Sequence, residues 1–331
     1  MNSPARNRIC TLAILSDIHY ASVAEQARGA DYEFGAIANP LLRRLVRLFR
    51  HYVWLRRPLN RNYLLDGFLE VGGGIDYLVA NGDFSCDSAF IGASDDAARQ
   101  SIRECLDKLR GRFGPNFRAT IGDHELGKTS LAGGQGGMRL ASWRRVRNEL
   151  NLAPFWQLEL GPYVLIGVAS SLVALPVFQP ETLPEERSEW EQARREHLDE
   201  IRRAFTALEP ARRVLLFCHD PTALPFLWRE EAVRSKISQI EQTLVGHLHS
   251  NLVFRLGRLL AGMPVIHFLG RSVQRMTSSL HEARYWAPFH VRLCPALAGV
   301  ELLKDGGYLT AELDLEEPRL ARFRFHALPR G

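Results

Sequence analysis

The chain has 331 residues, 46% hydrophobic and 24% charged, enough apolar material for a substantial core in an ordinary globular protein. Its formal charge of +5 is concentrated: Phe34 to Leu65 holds no Asp or Glu but seven arginines (43, 44, 47, 50, 56, 57 and 61), and elsewhere 35 basic residues are outnumbered by 37 acidic ones. Basic character confined to one segment argues against a general nucleic-acid surface, so no nucleic-acid partner is expected.

In chain order, strands are expected at Cys10–Ser16, Asp76–Asn81, Phe117–Ile121, Phe155–Leu160, Tyr163–Ala169, Arg213–Cys218, Gln242–Val245 and Val265–Leu269. Helical patterns fall at Pro40–Arg57, Asp95–Gly111, Ser142–Leu150 and Pro184–Leu208. Val300–Leu303, the turn Asp305-Gly306-Gly307 and Tyr308–Leu315 read as strand, turn and strand. No repeat or Pro/Gly/Ser-rich linker divides the chain. One domain over 1–331 is therefore expected, with an insertion at about 21–65 and a β-rich extension at about 298–331. Alternating strands and helices suggest a layered α/β or α+β sandwich.

Five cysteines are scattered without a C-x-x-C, as for reduced thiols in a cytoplasmic protein. The start, MNSPARNR, has no apolar h-region, so no signal peptide is expected. The longest apolar stretch, Tyr163–Phe178, is interrupted by two serines, a Gly and a Pro and is too short to span a bilayer.

Five ligand-type clusters recur in order: Asp17-Ile18-His19, Gly82-Asp83, Gly122-Asp123-His124-Glu125, His219 and Gly246-His247-Leu248-His249. Leu12–Leu15, Tyr77–Ala80, Val214–Phe217 and Leu244-Val245 run into four of them, as buried strands run into the loops where α/β proteins build their sites. Phosphate-ester hydrolysis needs charge neutralisation on the phosphoryl oxygens and an ionised water, and two divalent metals about 3.5–4 Å apart supply both. Three carboxylates and four imidazoles would suit such a pair. Asp17 and His19 can turn onto one ion, and His247 and His249 can reach neighbouring ions. Gly82 lets the chain turn tightly and aim Asp83 between the metals.

The ordered pattern D-x-H, G-D, G-N-H-[DE], H, G-H-x-H resembles that of the calcineurin-like metallophosphoesterases, over roughly Leu12 to Asn251. The resemblance implies a four-layer α/β/β/α sandwich with the dimetal site at its strand ends. It implies that Asp17, His19 and His249 hold one metal, that Asp123, His219 and His247 hold the other, and that Asp83 bridges both. His124 would stay off the metals and assist the leaving-group oxygen, with a metal-bound hydroxide as nucleophile. Mixed N/O ligands suit Mn²⁺, Fe or Zn²⁺, and family habit favours Mn²⁺. The chain departs from the pattern at Asp123, where Asn is expected. The extra charge should tighten metal binding and weaken attraction for highly charged phosphates. The 66 residues from Asp17 to Asp83 are also more than is usual, marking an insertion.

Gly122 to Thr129 also satisfies G-x-x-x-x-G-K-[ST], the P-loop of nucleotide triphosphatases. Asp123 and Glu125 would place negative charge inside its phosphate cradle, and the glycines at 133, 134, 136 and 137 make a poor helix start. Lys128 remains a candidate phosphate contact, and the Gly133–Gly137 loop a mobile edge of the site.

On a helical wheel over Pro40–Pro58, leucines and aromatics fill one arc, and Arg43, Arg44, Arg47, Arg50, His51 and Arg57 oppose them. Such a helix suits an anionic membrane interface; the alternative is a helix docked on the protein with a solvated basic face. The insertion resembles lid elements of UDP-2,3-diacylglucosamine diphosphatases. That implies a lipid-linked nucleotide diphosphate as substrate, with Arg43, Arg47 and Arg50 as headgroup contacts, at the inner face of the membrane. The reading is a peripheral metallophosphoesterase acting on a phosphorylated small molecule or lipid-linked substrate. A metal-binding membrane adaptor without turnover is the alternative from another class.

Overall fold

The computed structural model describes residues 9–71, 73–130, 134–268 and 270–329. Gly133 of the glycine-rich loop, and Leu269 of the expected strand Val265–Leu269, lie outside them. Two five-stranded sheets stack face to face with helices outside each, an α/β/β/α sandwich. The first has the order β10-β9-β1-β2-β3, from β1 (Ile9–Leu15), β2 (Tyr77–Asn81), β3 (Phe117–Thr120), β9 (Gly307–Asp314) and β10 (Arg322–Ala327). The second runs β4-β5-β6-β7-β8, from β4 (Phe155–Leu160), β5 (Tyr163–Val168), β6 (Arg213–Cys218), β7 (Ile240–Val245) and β8 (Val291–Leu293). Strands β1, β2 and β3 are mutually parallel, as are β5, β6, β7 and β8. Their carboxyl ends therefore share one edge in each sheet.

Alternation along each strand builds the layers. Leu12, Ile14 and Val79 share a cluster with Leu165, Leu215, Phe217 and Leu244, which fills the space between the sheets. Their neighbours Ala13, Leu15, Leu78 and Ala80 turn outward to Leu65 and Phe68 of α2 (Asn62–Val71) and Ile102 and Leu106 of α3 (Asp96–Phe113). Helix α1 (Pro40–Phe49) lies within the insertion and buries none of its residues. Helix α3 forms because apolar residues recur at Ala98, Ile102, Cys105, Leu106 and Leu109, and Asp95 caps it by accepting from Ala98 N at 2.9 Å. Gly114, at φ +51°, ends it. Trp190, Ile201 and Phe205 of α5 (Arg187–Thr206) cover the second sheet, and α4 (Leu140–Asn148) packs Trp143 near Trp190.

Several expectations need correction. Residues 265–268 form no strand; they link α6 (Asn251–Leu259) to α7 (Arg271–His281), where Ile266 N donates to Thr277 Oγ1. Val300–Leu303 is not a strand: residues 301–304 are turn, and the terminal hairpin pairs β9 with β10 instead. Strand β9 also pairs antiparallel with β1, so these residues complete the first sheet. The helix expected to Arg57 is α-helical only to Phe49, then widens into a π-turn over Arg50–Trp54. Arg57, just before Pro58, sits in the left-handed region at φ +52°. Among the described residues no helix follows Thr129 until α4, whereas a P-loop runs straight into one.

Candidate metal centre

Each parallel strand hands its ligands to a loop at the shared edge. The loops after β1 and β2 stay zipped together: Asp17 N donates to Gly82 O (3.1 Å), His19 N to Asp83 O (3.0 Å) and Tyr20 N to Phe84 O (2.8 Å). Within the second sheet, Gly246 N donates to His219 O (2.9 Å), and across to the first sheet His247 N reaches both carboxylate oxygens of Asp17 (3.1 Å). Asp17, His19, Asp83, His247 and His249 all adopt left-handed φ between 50° and 59°. Non-glycine residues rarely accept this conformation, so strain is concentrated on the candidate ligands. Close packing adds to it. A Cβ on Gly246 would lie 1.9 Å from Ser16 Oγ and 2.6 Å from Asp17 Oδ2, and one on Gly82 would lie 2.7 Å from His219 Nδ1.

The result is two adjoining groups of donors, all buried except half-buried His247. Asp17, His19 and His249 form one, and Asp83, Asp123, His219 and His247 the other. Asp83 also groups with His19 and His124, which places it between them. His249 Nε2 lies 3.3 Å from Asp17 Oδ1; His219 Nε2 lies 3.2 Å from Asp83 Oδ2 and 3.4 Å from Asp123 Oδ1; His247 Nδ1 lies 3.1 Å from Asp123 Oδ1. All seven sequence-derived ligands are thus brought together.

The donor set fits divalent metal. His219 Nδ1 donates to Asn81 O (2.5 Å), and His19 Nδ1 to Ser85 O (3.2 Å), which leaves each Nε2 with its lone pair directed into the cluster. Those two Nε2 atoms and Asp83 Oδ2 have no hydrogen-bond partner although fully enclosed. Three carboxylates this close and this deeply buried require compensating positive charge.

The electrostatics run the same way. Burial raises the Asp17 carboxyl above its ordinary range. Against the cost of burial, Lys128 and His247 hold Asp123 well below the carboxylate range, and His219 is held well above the ordinary imidazole value by Asp83 and Asp123. Burial drives His124 and His249 well below it. His124 Nε2 lies 3.6 Å from Asp83 Oδ2, its Nδ1 is unpartnered, and its ring centroid is 4.6 Å from that of His19.

Four residues without a sequence-assigned role organise the ligands. Glu125 accepts from Asp83 N (3.0 Å), Phe84 N (2.8 Å) and Gly122 N (2.8 Å), fixing two ligand loops with one carboxylate. Its signal was its place three residues after Gly122, the spacing of a capping box. Asp220 Oδ2 stands 3.7 Å from His247 Nε2, Ser16 Oγ donates to Asp17 Oδ2 (2.6 Å), and Asn81 orients His219. Asp220 and Ser16 adjoin ligands directly and Asn81 lies two residues before Asp83, but nothing in residue type distinguishes them.

Lys128 reaches the cluster, with Nζ 3.1 Å from Asp123 Oδ2. Arg43, Arg47 and Arg50 do not. Their guanidinium groups bind Ile37 O, Asp31 and Glu33 inside the insertion. The insertion instead meets the cluster through Trp54, whose ring lies 5.0 Å from that of His249.

No protein-family profile matches the sequence, and no curated protein does. Solved structures give looser likenesses. A phosphopantetheinyl hydrolase from Mycobacterium tuberculosis is 16% identical, with a TM-score of 0.38 over 74% of this chain and 84% of that one. A dimetal phosphatase from Danio rerio is 13% identical, with a TM-score of 0.46 over 95% and 98%. A purple acid phosphatase from yellow lupin (Lupinus luteus) seeds is 12% identical, with a TM-score of 0.37 over 75% of this chain and 39% of that one. None of these scores is high enough to carry chemistry from one protein to the other.

Proposed function

We propose that this chain is a calcineurin-like metallophosphoesterase that hydrolyses phosphate esters or pyrophosphates with two divalent metal ions. The observation that carries the reading is the convergence of Asp17, His19, Asp83, Asp123, His219, His247 and His249 from five separate stretches into two donor groups, joined through the grouping of His19, Asp83 and His124. Asp17, His19 and His249 would hold one ion, Asp123, His219 and His247 the other, with Asp83 shared. Two such ions supply charge neutralisation for the phosphoryl oxygens and an ionised water at neutral pH. Mn²⁺ is the proposed occupant, with Fe or Zn²⁺ also matched by mixed nitrogen and oxygen donors.

The protein's own groups do the rest. Glu125 and Asn81 fix the ligand loops and the His219 tautomer. His124 would turn a ring N–H toward the leaving-group oxygen and assist its departure as a hydrogen-bond donor. As the finer reading, the substrate is a lipid-linked nucleotide diphosphate such as UDP-2,3-diacylglucosamine, met at the cytoplasmic face of a membrane. Leucines exposed on α1, beside the Trp54–His249 contact, support it, and five unpaired cysteines suit a reducing compartment.

The test is a hydrolysis panel of monoesters, diesters and pyrophosphates with added Mn²⁺. Metal-dependent turnover that Asp83→Ala and His247→Ala both abolish supports the proposal. Turnover indifferent to chelators refutes it.

A further inference from the structure

The chain has a second acid-free stretch, and the structure sets it against the same site. Gln242 to His281 contains Arg255, Arg258, Arg271 and Arg275 but no Asp or Glu. It begins on the metal loop, where Ser250 directly follows His249 and caps α6 by accepting from Leu252 N (3.2 Å). Helices α6 and α7 then pack as a unit, with Gly262 N donating to Leu280 O (3.0 Å). That unit is pinned to the far flank of the cluster. Ser272 Oγ donates to Ser130 O (3.0 Å), and Arg275 pairs with both oxygens of buried Glu181 (2.9 Å), which also accepts from Thr129 N. The ligand cluster therefore has the acid-free stretch Phe34–Leu65 on one side, through Trp54, and this acid-free helix pair on the other.

Both elements turn apolar side chains outward. On α1, Arg43 and Arg50 bind inward groups, whereas Leu41, Leu45, Leu48 and Phe49 are exposed. This is the reverse of a docked helix with a solvated basic face. On α6, Phe254 and Gly257 are buried while Leu252, Leu256 and Leu259 are exposed, and Phe268 in the following loop is 84% exposed. Among the described residues, Arg44, Arg57, Arg255 and Arg271 are exposed and have no ion-pair partner. Unpaired guanidinium groups interleaved with exposed leucines match a surface that offers phosphate at one depth and hydrocarbon just below. A second copy of the chain fits worse, since two surfaces carrying these unpaired arginines would repel each other.

We propose that α1 and the α6–α7 pair together seat the protein on an anionic lipid bilayer, presenting the ligand cluster between them at headgroup level. No helix of the described residues is long and apolar enough to cross a membrane, so the contact would be interfacial. The proposal deepens the phosphoesterase reading by placing its substrate at a lipid surface, but binding to lipid is measurable without turnover.

The experiment is co-sedimentation of the full chain with phosphatidylcholine vesicles, with and without phosphatidylglycerol. Selective binding to the phosphatidylglycerol vesicles is expected. Leu45→Glu with Leu48→Glu, and separately Leu252→Glu with Leu256→Glu, should each weaken it by more than about tenfold, with circular dichroism unchanged. Arg44→Gln with Arg255→Gln should weaken it without touching the apolar surface. Absence of binding, equal binding to both vesicles, or binding untouched by the α6 substitutions overturns the proposal. So does an oligomer in solution that these substitutions dissociate while vesicles are ignored. An inactive protein that still binds phosphatidylglycerol vesicles through both helices upholds this surface and overturns the phosphoesterase reading.

Discussion

Lys128 Nζ lies 3.1 Å from Asp123 Oδ2, and both side chains are largely buried. The pair answers the question raised by a carboxylate where the pattern calls for an amide. Asp123 adds one negative charge to the cluster, and Lys128, five residues on, cancels it. The substitution that would suggest a site without turnover is thereby neutralised in place.

The pairing makes a coupled prediction. Asp123→Asn alone leaves an unpaired ammonium beside the metals and should weaken metal binding, whereas Lys128→Met alone leaves an uncompensated carboxylate and should raise KM for anionic substrates. The double variant restores neutrality and should behave better than the single variants imply, with a coupling of about 1–3 kcal/mol. Metal titration calorimetry on all four proteins measures it; strictly additive effects would refute the compensation.

His124 should be separable from the metal ligands. His124→Ala is expected to keep its metal content and slow turnover by roughly 10²-fold or more, the scale of a proton-transferring group. Metal analysis beside steady-state kinetics tells the two roles apart. Loss of metal in this variant would make His124 a ligand instead.

Much of this site was legible in the sequence because strand ends are marked twice, by an apolar run and by its abrupt stop. Val214–Phe217 before His219 and Leu244-Val245 before Gly246 gave both strand and ligand. What escaped was structure whose cause lies elsewhere in the chain. Val300–Leu303 has strand composition, yet Glu301 N and Leu302 N donate to Trp54 O and Val53 O of the insertion, and the segment turns. Helices α6 and α7 expose the residues that usually mark a buried face, so their pattern does not announce itself as a core-facing helix. Glu125 was visible as a member of a motif, but only the fold shows its carboxylate spanning Asp83, Phe84 and Gly122.

Backbone approach at the metal loop sets a steric prediction. At Gly246 an added methyl would lie 1.9 Å from Ser16 Oγ, which in turn holds Asp17. Gly246→Ala should cost about 1–3 kcal/mol of stability, as overpacking does, and weaken metal binding by displacing Asp17. Thermal unfolding with and without Mn²⁺ reports both effects, and a variant with wild-type metal affinity would contradict the packing argument.

His197 supplies a pH dependence remote from the metals. Its ring is buried and its Nε2 accepts from Ala169 N (3.1 Å); burial lowers its pKa below the ordinary imidazole value. The unfolded chain therefore binds the proton more readily, near pH 6.5, than the folded one does. Its contribution is fully present above that pH and declines as the pH falls below it, by no more than about 1.4 kcal/mol per pH unit. Denaturant unfolding of wild type and His197→Gln between neutral and mildly acidic pH should show this slope only in the wild type. Parallel curves would rule it out.

The most direct measurement is metal stoichiometry in stripped and reloaded protein, read by elemental mass spectrometry alongside hydrolysis of a chromogenic phosphodiester. The wild type should take up two divalent ions per chain and gain turnover with them, and Asp83→Ala, lacking the shared carboxylate, should lose both while remaining folded. A wild type that binds no metal, or an Asp83→Ala variant that loads and turns over as the wild type does, would contradict the assignment.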